Sequence, residues 1–232
     1  MELAARLDRL AAAAADLVKP GMTVGLGTGS TADALIRELG RRVAAGLLMT
    51  GVATSCQSET LARDLGIPLV TLDEVARLDL GIDGADEIDP ALDAIKGRGG
   101  ALLREKLVAL ACDDYVLVAT TEKSVDRLGE RTPLPVEIIA FGWSHTAERI
   151  RALGYAPQLR MTVGDCSRPA ATDNGGYILD CATGSMADPA GLAKSIKIIP
   201  GVVEHGLFLS IATSVMQVDP HGDVFIRSRP EV

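Results

Sequence analysis

Apolar and polar positions along this chain fall into blocks of two periods that take turns in a regular order. Residues 2–18, rich in Ala and Leu at helical spacing and stopped by Pro20-Gly21, predict a first helix. MTVGLG (22–27) predicts a short strand, and STADALIRELGRRVAA (30–45) a helix opened by a Ser/Thr cap. Strand LLMTGVAT, helix SCQSETLARDLG, strand IPLVTL and strand LDLGID follow, then helix GALLREKLVALAC and the Val-rich strand DYVLVAT, of the kind buried on both faces. This alternation predicts an α/β fold with a doubly wound, mostly parallel, Rossmann-like sheet, whose ligands bind beyond the carboxyl ends of its strands.

After about residue 125 the pattern changes. LPVEIIAFG (strand), SHTAERIRALG (helix), APQLRM (strand), NGGYILDCA (strand) and DPAGLAKSIKII (helix), with TDNGG as a turn, predict a second, smaller α+β domain of ferredoxin-like type. The tail has two β-rich runs around DPHGD and predicts a hairpin returning to a sheet. The expected division is 1–125 plus 203–232 for the catalytic domain and 126–202 for the small one, the latter at an oligomer interface.

Composition narrows the functional classes. At 232 residues, 47% hydrophobic and 23% charged, the chain can bury one large core or a large and a small one. A formal net charge of -8 and a pI near 4.9 argue against nucleic acid as a partner, which requires a basic footprint. No apolar run reaches the roughly 18 residues of a membrane span. MELAARLDRLAAAAADLV carries acids where a secretory leader has a basic region, so the expected location is the cytoplasm. Cys56, Cys112, Cys166 and Cys181 form no CxxC pair, and His145, His205 and His221 show no ligand spacing. Reduced thiols are expected, with neither metal nor cofactor.

Three stretches carry candidate chemistry. GLGTGSTA (25–32) lies between a strand and a helix and fits either a tight, well-capped turn or a phosphate cradle built from amides and the Ser30 and Thr31 hydroxyls. It lacks the lysine of a P-loop and the last glycine of GxGxxG, and no acid follows at the ribose-binding distance. LGIDGADEID places Asp83, Asp86, Glu87 and Asp89 within seven residues behind a strand. A solvated acidic loop is the plain reading; position at a strand's carboxyl end favours paired carboxylates that move protons. In KGRGGALLREK, Lys96 heads a glycine-rich cationic loop, and Glu105 stands three residues from both Leu102 and Val108 on a helix. Glu105 is then a surface glutamate or a general base among apolar neighbours. Taken together, the three suit proton abstraction beside a carbonyl on a phosphorylated small molecule.

These motifs, in this order and with LPVE, TDNGGYILD and IPGVVEHGLF after them, resemble the ribose-5-phosphate isomerase type A family over nearly the whole chain. The resemblance implies interconversion of D-ribose 5-phosphate and D-ribulose 5-phosphate in the non-oxidative pentose phosphate pathway, without metal, by a homodimer. It places the proton-shuttling base on Glu105, with Asp83, Asp86 and Lys96 as further catalytic groups. Substrate binding falls on Thr28, Gly29, Ser30, Thr31, Gly84, Ala85, Gly97, Arg98, Gly99 and Lys123. Glu87 and Asp89 then read as the ordinary solvated part of the acidic run. The chain departs from the family at Arg98, where glycine is common, at Arg6 and Arg9, where an N-terminal lysine often reaches the phosphate, and in its tail. A sugar-phosphate sensor would need a DNA-binding segment that neither terminus supplies, and has no use for Glu105. A CoA-transferase-like enzyme would form a glutamyl thioester that hydroxylamine traps.

Overall fold

Two sheets organise the chain, one mainly parallel and one antiparallel. The structure is a computed structural model and describes residues 1–229; the last three residues of the expected tail, 230–232, lie outside the described residues. In chain order the elements begin with α1 (Leu3–Ala15), β1 (Thr23–Leu26), α2 (Ser30–Ala44), β2 (Thr50–Ala53), α3 (Cys56–Asp64) and β3 (Leu78–Gly84). The short strands β4 (Glu87–Ile88) and β5 (Ala94–Ile95) precede α4 (Leu102–Ala111) and β6 (Cys112–Thr120). Then come β7 (Leu134–Ile138), α5 (Trp143–Arg151), β8 (Ala156–Leu159), β9 (Met161–Thr162), β10 (Asp165–Pro169) and β11 (Tyr177–Ala182). The chain continues through α6 (Pro189–Lys197), β12 (Val202–His205), β13 (Leu207–Phe208), β14 (Ser214–Val218) and β15 (Val224–Ser228).

The contacts gather into two units: Met1–Ala85, Arg104–Ser124 and the chain from Ser210 in one, Asp86–Leu103 and Val125–Leu209 in the other. Segments 86–103 and 203–209, expected in the first unit, belong to the second. Their short strands pair with one another in the order β13-β5-β4, and Ile95 and Leu207 enter the second unit's core.

In the first unit the sheet order is β15-β14-β6-β3-β1-β2, parallel except for the β14–β15 hairpin around DPHGD. Val24, Leu26, Leu80, Ile82, Val116 and Val118 share a core with Leu10 and Ala14 of α1 and Leu35 and Leu39 of α2. Each helix meets the sheet along the apolar stripe that its 3.6-residue period creates. Gly25 and Gly81 make room elsewhere on the sheet. A Cβ on Gly25 would lie 2.6 Å from Val108 Cγ1 of α4, and one on Gly81 2.7 Å from the Tyr115 ring. Only glycine at position 25 therefore leaves room for α4 at this height above the strands. IPLVTL does not form the expected strand. Its pairing is a single parallel bridge, Gly51 to Leu69, because Pro68 has no N–H to give and Thr71 and Glu74 close a capping-box turn just beyond.

The second unit has the expected β-α-β-β-α-β order, made by β7, α5, β8, β11, α6 and β12. Its antiparallel sheet runs β12-β7-β11-β8, with Leu134, Val136, Ile138, Leu179 and Cys181 packed on Ile150 of α5 and Ile196 of α6. β9 and β10 form a separate ribbon between β8 and β11. Here the reading of Glu87 as solvated is corrected: it is 1% exposed. Its Oε2 accepts the Gly129 amide at 2.6 Å, and its Oε1 accepts those of Arg131 at 2.7 Å and Thr132 at 2.6 Å. The loop between β6 and β7 is thereby tied to β4, and a buried carboxylate acquires the donors it needs. Asp89 turns its carboxylate to the amides of Ala91 and Asp93, forming the turn between β4 and β5.

Glu87→Ala, which strands one buried amide and two part-buried ones, is expected to lower the unfolding free energy by about 2 kcal/mol, and Glu87→Gln by less because its carbonyl still accepts. Urea titrations of both variants measure this; curves that overlay the wild type would remove Glu87 from the fold's supports.

Candidate active site

In the first unit, β1, β3 and β6 are neighbours and run parallel, so the segments that leave their carboxyl ends emerge on one side of the sheet. These are Gly27–Gly29, Ala85 and the short 3-10 turn Thr121–Lys123. α4 leads directly into β6, which brings its first turn, with Glu105, to the same side.

Asp83 occupies the end of β3 and is 1% exposed. Its Oδ1 accepts the Thr28 amide at 3.0 Å and the Gly84 amide at 2.7 Å, while the Tyr115 hydroxyl donates to Oδ2 at 3.4 Å. A Cβ on Gly27 would fall 2.2 Å from Asp83 Oδ1, so only glycine lets the β1 loop close over this carboxylate. Glu105 is 2% exposed on its helix, and Val108, one turn on, is buried. Tyr115 registers both acids: burial first, then the charges of Asp83 and Glu105, push its hydroxyl pKa well above the phenol range.

The glycine loop rests on hydroxyls that sequence reading passed over. Thr28 Oγ1 donates to Ser55 Oγ at 2.8 Å, Ser55 to Ser58 at 3.0 Å, and Ser58 to the Gly27 carbonyl at 2.6 Å. The Thr54 hydroxyl lies 2.7 Å from Thr28 Oγ1 and 3.0 Å from the Leu26 carbonyl, and its single proton serves one of them at a time. Thr28 thus spends its side chain on the scaffold. The signal was present in TSCQS, hydroxyls bunched at a strand-helix junction. α2 also differs from expectation, since its N-cap is Gly29, at φ 101°, and no side chain caps it. Its first amides stay open toward an anion, as a Ser or Thr cap would not have allowed. The Ser30 and Thr31 hydroxyls and the half-buried Lys123 ammonium donate to nothing among the described residues.

Arg6 is turned to another use than a phosphate contact. It forms a bidentate pair with Glu122, both distances 2.8 Å, and donates to the Val218 carbonyl at 3.3 Å. The hydrogen bonds from Arg6 lead the causes that draw the Glu122 carboxyl down to about 2. Arg9 reaches the Gly222 carbonyl at 3.4 Å. The pair anchors the turn that presents Lys123.

In the second unit, Asp86 is half-buried and its Oδ2 accepts the Arg98 amide at 3.0 Å. Lys96 is 2% exposed, its ammonium 5.4 Å from the centre of the Phe208 ring. The loop after it is left-handed at Gly97 (φ 105°) and Gly100 (φ 86°), and the Arg98 side chain and Gly99 are exposed. Arg160, unmarked in the sequence, donates to the Gly97 and Arg98 carbonyls at 3.0 and 2.9 Å. Asp83, Gly84, Ala85, Glu105, Lys123 and residues 28–31 therefore belong to the first unit, and Asp86 and Lys96–Gly99 to the second.

The family model of ribose 5-phosphate isomerase A (phosphoriboisomerase A) matches residues 50–222. A curated relative named ribose-5-phosphate isomerase A, from Roseiflexus sp. (strain RS-1), is 54% identical over 209 residues, 89% of each chain. The solved structure of ribose 5-phosphate isomerase A from Methanocaldococcus jannaschii superposes with a TM-score of 0.90 at 38% identity, over 96% of this chain and 98% of that one. A D-ribose-5-phosphate isomerase solved in complex with phospho-erythronic acid gives a TM-score of 0.93 at 35% identity, over 99% and 100%. Fold and relatives together define an α/β enzyme of the isomerase class. The chain belongs to the ribose 5-phosphate isomerase A family.

Arg6 and Glu122 give a pH signature. Glu122 is held at about 2 in the folded chain against its usual 4.5, so its contribution is complete above about pH 4.5 and is lost as pH falls through about 2. Because Glu122 is half exposed, Glu122→Gln is expected to cost no more than about 1 kcal/mol near neutrality. The difference from wild type should vanish between those two pH values; denaturant melts that keep a constant gap down to pH 2 would remove the ion pair as its cause.

Proposed function

We propose that the chain interconverts D-ribose 5-phosphate and D-ribulose 5-phosphate through a cis-enediolate, with Glu105 as the general base. The observation that carries this reading is a carboxylate 2% exposed in the first turn of α4, on the side of the sheet where Asp83 and the open amides of α2 lie. Burial of this kind keeps bulk water away from the proton that the base takes and returns. Family membership supports the substrate pair, and so does the phospho-erythronic acid held by a solved relative. That molecule is a phosphorylated sugar acid whose planar carboxylate presents two oxygens as an enediolate does, and enzymes bind such mimics tightly.

In the forward direction the sugar ring opens to the aldehyde. Glu105 removes the C2 proton, the C–H electrons form the C1–C2 double bond, and the carbonyl oxygen at C1 becomes an oxyanion. Lys96 and loop amides stabilise that charge. The proton on O2 passes to O1, with Asp83 and Asp86 holding these hydroxyls, and Glu105 returns its proton to C1 to give the ketose. Asp83 is suited to a fixed role, since two of its donors are backbone amides. The α2 amides, Ser30, Thr31 and Lys123 hold the phosphate. The chain acts as a cytoplasmic homodimer, with the smaller unit at the subunit interface.

An assay of ribose 5-phosphate conversion in EDTA tests the chemistry. Glu105→Gln should lose about 10²- to 10⁴-fold in kcat while still binding substrate. Near-normal turnover would sink Glu105 as the base, and a requirement for added metal would sink the mechanism. Lys123→Ala should chiefly raise KM; an unchanged KM would place Lys123 away from the phosphate.

A further inference from the structure

We propose that Arg160, locked by Asp180, is a positioning residue that sets the backbone of the Lys96–Gly100 loop. The inference rests on the reading that this loop serves the isomerisation. Arg160 directly follows β8. Its amide donates to the Ile178 carbonyl at 2.9 Å, and its own carbonyl accepts the Ala170 amide at 2.9 Å, so its backbone is tied on both sides. Asp180 is flanked within the sheet, opposite Pro135 of β7 and Gln158 of β8. Arg160 Nε and Nη2 meet the two Asp180 oxygens at 2.8 and 2.5 Å, which fixes the plane of the guanidinium. The remaining nitrogen, Nη1, donates to the Gly97 carbonyl at 3.0 Å and the Arg98 carbonyl at 2.9 Å.

The consequence follows from the planarity of the peptide unit. In a trans peptide the N–H points opposite to the C=O. With the Gly97 carbonyl held toward Arg160, the Arg98 amide must face away, and there it donates to Asp86 Oδ2 at 3.0 Å. With the Arg98 carbonyl held the same way, the Gly99 amide is directed away from Arg160 too, and it donates to nothing among the described residues. One guanidinium therefore orients both a carboxylate and an open amide assigned to the reaction, without touching substrate. The Gly100 amide closes a turn onto the Gly97 carbonyl at 3.0 Å, but that bond does not set the peptide between Arg98 and Gly99. Gly97 and Gly100 adopt φ of 105° and 86°, so the clamp adds the hold the turn lacks. A lysine at 160 could meet Asp180 or the carbonyls but lacks the fork to meet both in one plane.

The test compares wild type with Arg160→Ala, Arg160→Lys and Asp180→Asn in the ribose 5-phosphate assay, and follows amide hydrogen exchange of residues 96–100. Arg160→Ala should lose about 10²-fold in kcat with KM nearly unchanged, as expected when reacting groups are misplaced rather than removed. Arg160→Lys should recover only part of it. Methylguanidinium in the buffer should raise turnover of Arg160→Ala and leave the wild type alone. Exchange in the loop should quicken by about tenfold in Arg160→Ala. If Arg160→Ala fails to fold, Arg160→Lys and Asp180→Asn carry the test, and both should lower kcat. Any folded variant set with kcat and KM within about twofold of wild type overturns the proposal, as does a loss confined to KM without guanidinium rescue. A wild type that does not isomerise ribose 5-phosphate overturns the proposed function instead, and loop exchange then decides the clamp: rates equal in wild type and variants would reject it.

Discussion

The carboxylate of Asp83 is the point on which the first unit of this molecule turns. A buried charge is tolerated only where donors replace water, and Asp83 takes them from its own strand, from the loop after β1 and from Tyr115 of β6. Three neighbouring parallel strands are thereby joined by one side chain. The requirement passes to Gly27, which has to lack a Cβ, and to the hydroxyls of Thr54, Ser55 and Ser58 that hold the loop down. With the loop in place, α2 starts at a left-handed glycine and leaves its first amides uncapped. The open amides of that end are a by-product of how a carboxylate was buried nearby.

The acids of DGADEID illustrate how far local sequence can be read. Their number and their place behind a strand pointed to a site, and Asp83 and Asp86 sit where side chains meet backbone donors in the two units. Glu87 looked identical in composition yet supports the fold, because its partners are the amides of Gly129, Arg131 and Thr132, more than forty residues away and carrying no side-chain signature. Backbone donors are invisible in a sequence. The same holds for Arg160, whose targets are two carbonyls. For Glu105, helical spacing left a surface position and a buried one both open, and the structure buries it.

At the level of elements, periodicity found the helices and the long strands, which are stabilised by the pattern it measures. It overcounted at IPLVTL, where Pro68 limits the pairing to a single bridge, and it missed β4, β5 and β13. Two-residue strands have no period to detect, and these three decide which unit residues 86–103 join. The smaller unit is consequently more than an antiparallel sheet with two helices. Through Arg160 and Asp180 its strands reach the glycine-rich loop, so that substitutions on β8 or β11 are felt in that loop on the same unit.

The first unit is assembled from three separated stretches, and this has a consequence for biogenesis. As the polypeptide leaves the ribosome, β6 presents an unpaired edge until residues 214–218 arrive to cover it. One tie of α1 waits as long, because the carbonyl that Arg6 reaches belongs to Val218. The second unit lies between these stretches and completes its own strands by Phe208, before β14 is made. Vectorial synthesis thus finishes the inserted unit first and seals the host sheet last, leaving the β6 edge as the segment most in need of protection from association during that interval.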